Sequence, residues 1–297
     1  MTAPRPLPDR PLVAVVGPTA SGKTELAVQL ARLLRGELIN ADSRQAIAEL
    51  KVGVCKPTPD QLGDITCHGL DWRGLGRPYS VALFTRRTRV QLQEVWSRGK
   101  VPIVVGGTGM YIRALLGGFD FGELPPAAPA GGGAAQRLRD LDPEVAGRVD
   151  LRNPRRVERA LALAVAGKRP SAAPEPWALI QLGLKISRDQ LRCRIADRAR
   201  RLVGPELAVE VQTLRREGWS DAVLAEAAIG YREALAWLDG DIDKEEAVER
   251  ITRRTWRYAR AQLTWWRAEP HVIWVDGLTE AQRELALRWP QLVAGRT

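Results

Sequence analysis

The stretch Leu12-Val13-Ala14-Val15-Val16-Gly17-Pro18-Thr19-Ala20-Ser21-Gly22-Lys23-Thr24 decides how the rest of the 297-residue chain is read. It opens on an apolar, β-prone run, the composition of a strand buried on both faces of a parallel sheet. From Gly17 on it matches G-x-x-x-x-G-K-[ST] without a mismatch. In that pattern the glycines let backbone N–H groups turn inward around an anion. The lysine adds a point charge for terminal phosphates, and the last hydroxyl is offered to Mg²⁺. Leu26, Leu30, Leu33 and Leu34 follow at helical spacing, so the loop opens a helix whose N-terminus adds partial positive charge. Gly17, Pro18, Thr19, Ala20, Ser21, Gly22, Lys23 and Thr24 are therefore expected to cradle a polyphosphate, with Thr24 toward the metal. The motif alone leaves ATP, GTP and a simple diphosphate ester open.

Outward from that loop, Leu38-Ile39-Asn40-Ala41 reads as a second strand ending at Asp42. Ser80 is placed to cap a helix running to Trp96, and residues 101–105 read as a third strand before Gly106-Gly107-Thr108-Gly109. Alternating strands and helices predict an α/β fold, a P-loop doubly wound parallel sheet core. Residues 123–135 are rich in Pro, Gly and Ala, and helical patterns follow at 138–149 and 155–166. Residues 177–186 alternate and return the chain to the sheet, with a late strand near 272–275. The expected layout is a flexible tail at 1–11, a core of 12–119 and 173–297, and a small, shortened helical insertion domain at 120–172.

A P-loop ATPase usually closes an apolar strand with a carboxylate that holds Mg²⁺ through water. Here the strand at 101–105 ends in Gly106-Gly107, and the acid falls instead at Asp42. An Asp there, one strand from the phosphate loop, can take a proton from an acceptor nucleophile. It can equally cap a following helix. Ser43, Arg44 and Gln45 come next; their side chains suit the polar edge of an acceptor such as a flipped base, or simply a first helical turn. Thr108 opens the next helix or sits in a plain tight turn, and Lys56 is an exposed candidate for a phosphate contact.

The chain carries 45 Lys+Arg against 35 Asp+Glu, a formal charge of +10, and 38 of the basic residues are Arg. Arg binds phosphate bidentately and stacks on planar groups. From 250 to 267 there is no acidic residue, and Arg250, Arg253, Arg254, Arg257 and Arg260 recur at helical spacing on one face. That face is either a solvated surface written by compositional bias or a site for a nucleic-acid backbone. Arg152, Arg155, Arg156 and Arg159 form a second basic cluster. Cys55, Cys67 and Cys193 are too few and scattered for a disulfide framework or a zinc site, and His68 and His271 lack ligand spacing. No apolar run approaches the ~20 residues of a membrane span, and the Pro-rich start has no signal-peptide core. A cytoplasmic monomer without a membrane partner is expected.

Taken together, these runs resemble the tRNA dimethylallyltransferases, also called tRNA isopentenyltransferases. The resemblance rests on GPTASGKT at 17–24, ADSRQ at 41–45, KPT at 56–58, YSVA at 79–82, GGTGMY at 106–111 and LDP at 141–143. It continues through NPRRVERAL at 153–161, IGYRE at 229–233 and QLTW at 262–265, in family order across nearly the whole chain. It implies transfer of a dimethylallyl group from dimethylallyl diphosphate to N6 of the adenine immediately 3′ of the anticodon, in tRNAs reading codons that begin with U. Diphosphate leaves and no ATP is consumed. By the same resemblance Asp42 is the general base, Ser43 and Gln45 hold the flipped adenine, and Thr108 sits beside the reacting centre. Lys23, Thr24 and Mg²⁺ then stabilise the leaving diphosphate. The anticodon stem-loop is expected against Arg44, Arg155, Arg156, Lys168, Arg169, Arg254, Arg257 and Gln262. The chain departs from the family at Val52-Gly53-Val54-Cys55, usually Ile-Gly-Thr-Ala, and at Ala227-Ala228. A P-loop small-molecule or nucleoside kinase, and an RNA binder without transfer chemistry, are the competing readings.

Overall fold

The computed structural model describes residues 9–120, 133–167, 171–172 and 177–293. Among them are eight strands: β1 (Pro11–Val16), β2 (Gly36–Asn40), β3 (Cys67–His68), β4 (Val101–Gly106), β5 (Phe119–Asp120), β6 (Ser171–Ala172), β7 (Ala178–Leu184) and β8 (Ile273–Val275). Six form one sheet in the order β3-β2-β4-β1-β7-β8, every pair parallel. β1 lies between β4 and β7, which is why its residues from Leu12 to Val16 are apolar without alternation and wholly buried. Pro11, expected in the tail, already belongs to this strand. Both sheet edges are short, β3 with two residues and β8 with three, which limits the unpaired backbone they offer to other chains.

The helices are α1 (Lys23–Leu34), α2 (Pro59–Leu62), α3 (Val81–Ser97), α4 (Gly109–Leu116), α5 (Ala134–Leu141), α6 (Pro143–Arg148) and α7 (Pro154–Val165). They continue as α8 (Arg188–Leu202), α9 (Pro205–Arg216), α10 (Asp221–Ala227), α11 (Tyr231–Leu238), α12 (Lys244–Arg267), α13 (Leu278–Arg288) and α14 (Pro290–Val293). Ser80 caps α3 as its sequence suggests, accepting from Leu83 N–H at 3.1 Å. The leucine stripe of α1 meets Val13, Val15, Ile103 and Leu182 from the sheet, with α13 closing the same core through Ala281 and Leu285. A second core, around Tyr231, Leu207, Val211 and Ile251, joins α9, α11 and α12 to the segment 47–54 that follows β2. No helix among the described residues is long and apolar enough to cross a membrane.

The chain divides into two compact units, 1–113 with 176–297, and 114–175. In the second, α5 and α7 pack through Leu138, Val157 and Leu161. The helix expected at 138–149 is broken in two there. Asp142 accepts from Val145 N–H at 3.0 Å, and Pro143, with no N–H to give, starts α6 afresh. β5 and β6 form a separate antiparallel pair. Most of the Pro/Gly/Ala stretch lies outside the described residues, as do Lys168 and Arg169.

Candidate active site at the carboxyl ends of the central strands

β1, β2 and β4 all end at the same edge of the sheet, where the loops of an open α/β fold gather their ligands. After β1 the chain turns through Gly17 and Gly22. Gly22 has φ 98°, the left-handed region that a side chain disfavours, and it is the residue from which α1 starts. Inside the turn the Ser21 hydroxyl is buried and has no hydrogen-bond partner, so a polar group is presented where an anion's oxygen would satisfy it. Lys23 Nζ donates to Pro18 O of the same loop at 3.1 Å, which folds its side chain back over the cradle.

Three side chains from distant elements hold that loop. Gln262 of α12 accepts from Thr19 N–H at 2.8 Å and donates to Gly107 O at 2.9 Å, tying the loop after β1 to the loop after β4. From α8, Arg194 donates to Ser21 O at 2.7 Å and Arg198 to the Thr19 hydroxyl at 3.1 Å. Both arginines line the larger of two cavities at this edge, of about 1300 Å³, together with Lys23, Thr24 and Arg201. Burial pushes the Lys23 pKa down to about 8; the nearby Asp42 carboxylate opposes the fall and Arg198 adds to it.

After β2 the chain does not enter a helix. Asn40 accepts from Asp42 N–H at 3.1 Å and donates to Asp42 O and Gly69 O, both at 3.1 Å, fixing the exit from the strand. Asp42 then accepts from Arg44 N–H at 2.9 Å in a local turn, which replaces the helix cap its sequence position allowed. Asp42 lines the larger cavity and also a smaller one of about 430 Å³. Thr19, Arg198 and Leu202 are shared in the same way, so the two spaces adjoin at Asp42. The smaller one has apolar walls from Val54, Ile195, Ala199, Leu202, Ile229 and Ile251. Tyr258 also lines it; burial and then the charge of Asp42 raise its phenol to about 12, against the opposing charge of Arg44.

The other expected site residues are distributed unevenly. Ser43 and Arg44 line the smaller cavity and Gln45 the larger. Arg44 is anchored to the Ala227 carbonyl at 2.8 Å, at the end of α10. Thr108 lines neither cavity; its hydroxyl is buried without a hydrogen-bond partner. Gln262, expected against tRNA, is 6% exposed and spends its carboxamide on the two loops, so it shapes the site from inside. Lys56 is not free for phosphate: it donates to Ile47 O at 2.5 Å and pairs with Asp71 at 2.5 Å.

The basic face of α12 is corrected in part. Its span lacks acids, but Glu246 and Glu249 one turn earlier pair with Arg250 and Arg253, and Arg254 reaches the buried Glu233 at 2.6 Å. Among the described residues Arg257 and Arg260 are exposed and have no ion pair. Arg156 is exposed on α7. The sequence reading missed Arg194, Arg198 and Tyr258. The first two repeat at helical spacing, yet so do arginines of α3, α7 and α12, and the pattern alone marks none of them.

Among the described residues no three His, Cys, Asp or Glu side chains cluster as a metal cage. Among the donors lining the larger cavity are the Thr24 hydroxyl and the Asp42 carboxylate, hard oxygens beside an anion cradle. That set fits Mg²⁺, which keeps waters and binds through substrate phosphates with few protein ligands.

Residues 45–269 match the family described as IPP transferase, and residues 11–77 that described as isopentenyl transferase. The chain is 39% identical to a tRNA dimethylallyltransferase of Thermomicrobium roseum over 90% of its own length and 86% of the relative's. It is similar in structure to the full-length tRNA isopentenylpyrophosphate transferase of Bacillus halodurans, with TM-score 0.72 and 32% identity over 96% of this chain and 99% of that one. It also shares the fold of a eukaryotic dimethylallyltransferase acting on tRNA, at TM-score 0.76 and 21% identity, covering 96% of this chain and 80% of that one.

Proposed function

The chain belongs to the tRNA dimethylallyltransferase family, and on that premise we propose that Lys23 and Thr24 hold a donor diphosphate while Asp42 serves the acceptor amine. The protein is a prenyltransferase. It moves a dimethylallyl group to N6 of the adenine immediately 3′ of the anticodon in tRNAs reading codons that begin with U. The donor is dimethylallyl diphosphate. Its C1–O bond breaks, diphosphate leaves, a bond forms from C1 to N6, and a proton passes from N6 to an Asp42 carboxylate oxygen. The observation that carries this reading is the junction at Asp42 between a cationic phosphate cradle and an apolar-walled recess.

An exocyclic amine is a weak nucleophile, so the leaving group must be stabilised. Lys23, Arg198, the N–H groups of the cradle and the α1 terminus supply fixed positive charge where negative charge develops. Thr24 would hold Mg²⁺, which when bound neutralises diphosphate oxygens. Val54, Ile195 and Ile229 exclude water from the allylic carbon, which water would otherwise capture. Ser43 and Gln45 face the adenine, while Arg156, Arg257 and Arg260, with Arg155, Lys168 and Arg169, meet the backbone of the anticodon stem-loop. The enzyme acts as a cytoplasmic monomer.

Incubation with dimethylallyl diphosphate, Mg²⁺ and such a tRNA, followed by mass analysis of nucleosides, should find C₅H₈ added to that one adenosine. ATP-dependent phosphorylation of a small acceptor, with no prenylated nucleoside, would refute the assignment.

A further inference from the structure

The turn at 51–56 borders both cavities, with Gly53 and Val54 on the smaller and Val52 and Cys55 on the larger. It is strained at Cys55, whose φ of 48° lies in the left-handed region. A side chain from α9 holds it. Glu210 Oε2 accepts from Lys51 N–H and Val52 N–H, each at 2.7 Å, and Oε1 accepts from Gly53 N–H at 2.9 Å and the Tyr231 hydroxyl at 2.6 Å. A carboxylate offers about four acceptor positions, and here all are matched by donors. Tyr231 is wholly buried; burial, then the charge of Glu210, drives its pKa far up, so the phenol stays a donor. Its ring also lies where a Cβ on residue 53 would be, which is why only glycine fits there.

The carbonyls of this turn are the partners of Gln45. Gln45 Nε2 donates to Cys55 O at 2.9 Å and to Val54 O at 3.4 Å, so both amide protons are used and Oε1 is the end left to meet a ligand. An oxygen there accepts from an exocyclic amine and repels a carbonyl. We propose that Glu210 is a positioning residue for the acceptor base: by holding the turn at 51–56 it fixes Gln45 oxygen-outward and so selects an amine-bearing base. This rests on the prenyl-transfer reading. The departure of Val52-Gly53-Val54-Cys55 from the usual family sequence falls in this same turn, and the four bonds to Glu210 involve only backbone N–H groups and Tyr231. The latch therefore tolerates those side-chain changes.

The test compares prenyl transfer by the full chain and its variants, with dimethylallyl diphosphate, Mg²⁺ and tRNA. Glu210→Gln puts an NH₂ group against N–H donors and should lower kcat/KM for tRNA about 10- to 100-fold, with donor affinity within about twofold. Added to Gln45→Ala it should cost almost nothing further, whereas added to Lys23→Ala its factor should multiply in full. Full multiplication with Gln45→Ala, or a fall in thermal stability with unchanged kinetics, overturns the proposal. Should Glu210→Gln fail to fold, Tyr231→Phe removes one of the four donors. It should show the same saturation with Gln45→Ala, and multiplication there overturns the proposal equally. A wild-type protein that forms no prenyladenosine overturns the parent reading as well, whereas a prenylating wild type with a multiplying Glu210→Gln overturns this inference alone.

Discussion

Glu37 and Asp42 stand at opposite ends of β2, and the structure uses them in opposite ways. Glu37, 3% exposed, is surrounded: His68 Nε2 and Arg98 Nη2 each lie 2.6 Å from Oε2, and Lys100 Nζ lies 2.8 Å from Oε1. Burial pushes its pKa up, but the hydrogen bonds from Arg98, Lys100 and His68 outweigh burial and hold it at about 2. Asp42 accepts one backbone N–H, has no ion pair among the described residues, and opens on both cavities. The carboxylate at the amino end of the strand is consumed in locking α3, β3 and β4 together. The one at the carboxyl end is left with capacity to accept a proton. A buried acid is thus not by itself a reactive one; what separates the two is how much of each is already matched.

The largest effect is expected at the neighbour of Asp42. Lys23→Ala should lower kcat/KM for the donor about 10²- to 10³-fold in steady-state assays, with little change in tRNA affinity. In the wild type, Lys23 is charged below about pH 8 in the free protein. Above that pH a bound diphosphate must draw the proton back, so calorimetric diphosphate affinity should fall by up to tenfold per pH unit, and the slope should vanish in Lys23→Ala. Equal slopes in both proteins would detach Lys23 from the anion.

A smaller and different effect is expected at the other end of β2. Glu37→Gln should lower stability by about 1–3 kcal/mol at neutral pH, read from urea midpoints, with kcat/KM within about twofold of wild type. Because the folded carboxyl is depressed, its contribution is complete above 4.5, the ordinary value, and is lost as pH falls through about 2. The variant should lack that acid-limb dependence; a tenfold loss of turnover would erase the distinction between the two acids. Smallest of all, replacing Arg257 and Arg260 by Ala should reduce the slope of log affinity for tRNA against log salt by about 1 to 2. An unchanged slope would leave α12 as a solvated face.

Much of this site was legible in the primary structure, because a phosphate loop is local: strand, turn, lysine and helix follow one another within 11–34. The buried strands β1, β2 and β4 were legible for the same reason, as short apolar runs ending in turn residues. β3 was not, since two residues carry no period. Nor were Arg194, Arg198 and Glu210, which reach the site from helices more than 150 residues beyond the atoms they hold. Gln262 shows the limit most clearly. The family resemblance set it among the tRNA contacts, and only packing reveals that it clamps the loops after β1 and β4 from within. The basic stripe of α12 was misjudged by one helical turn, because the acids that pair with it lie just upstream of the window that lacked them.

The most direct test is single-turnover prenyl transfer by Asp42→Ala with saturating donor and tRNA, set beside its equilibrium affinity for the same tRNA. Removing a base that takes the N6 proton should slow the step at least ~10²-fold while tRNA binding stays within about threefold. Transfer within a few-fold of wild type would show that Asp42 is a second Glu37, a carboxylate kept for structure, and would contradict the account at its centre.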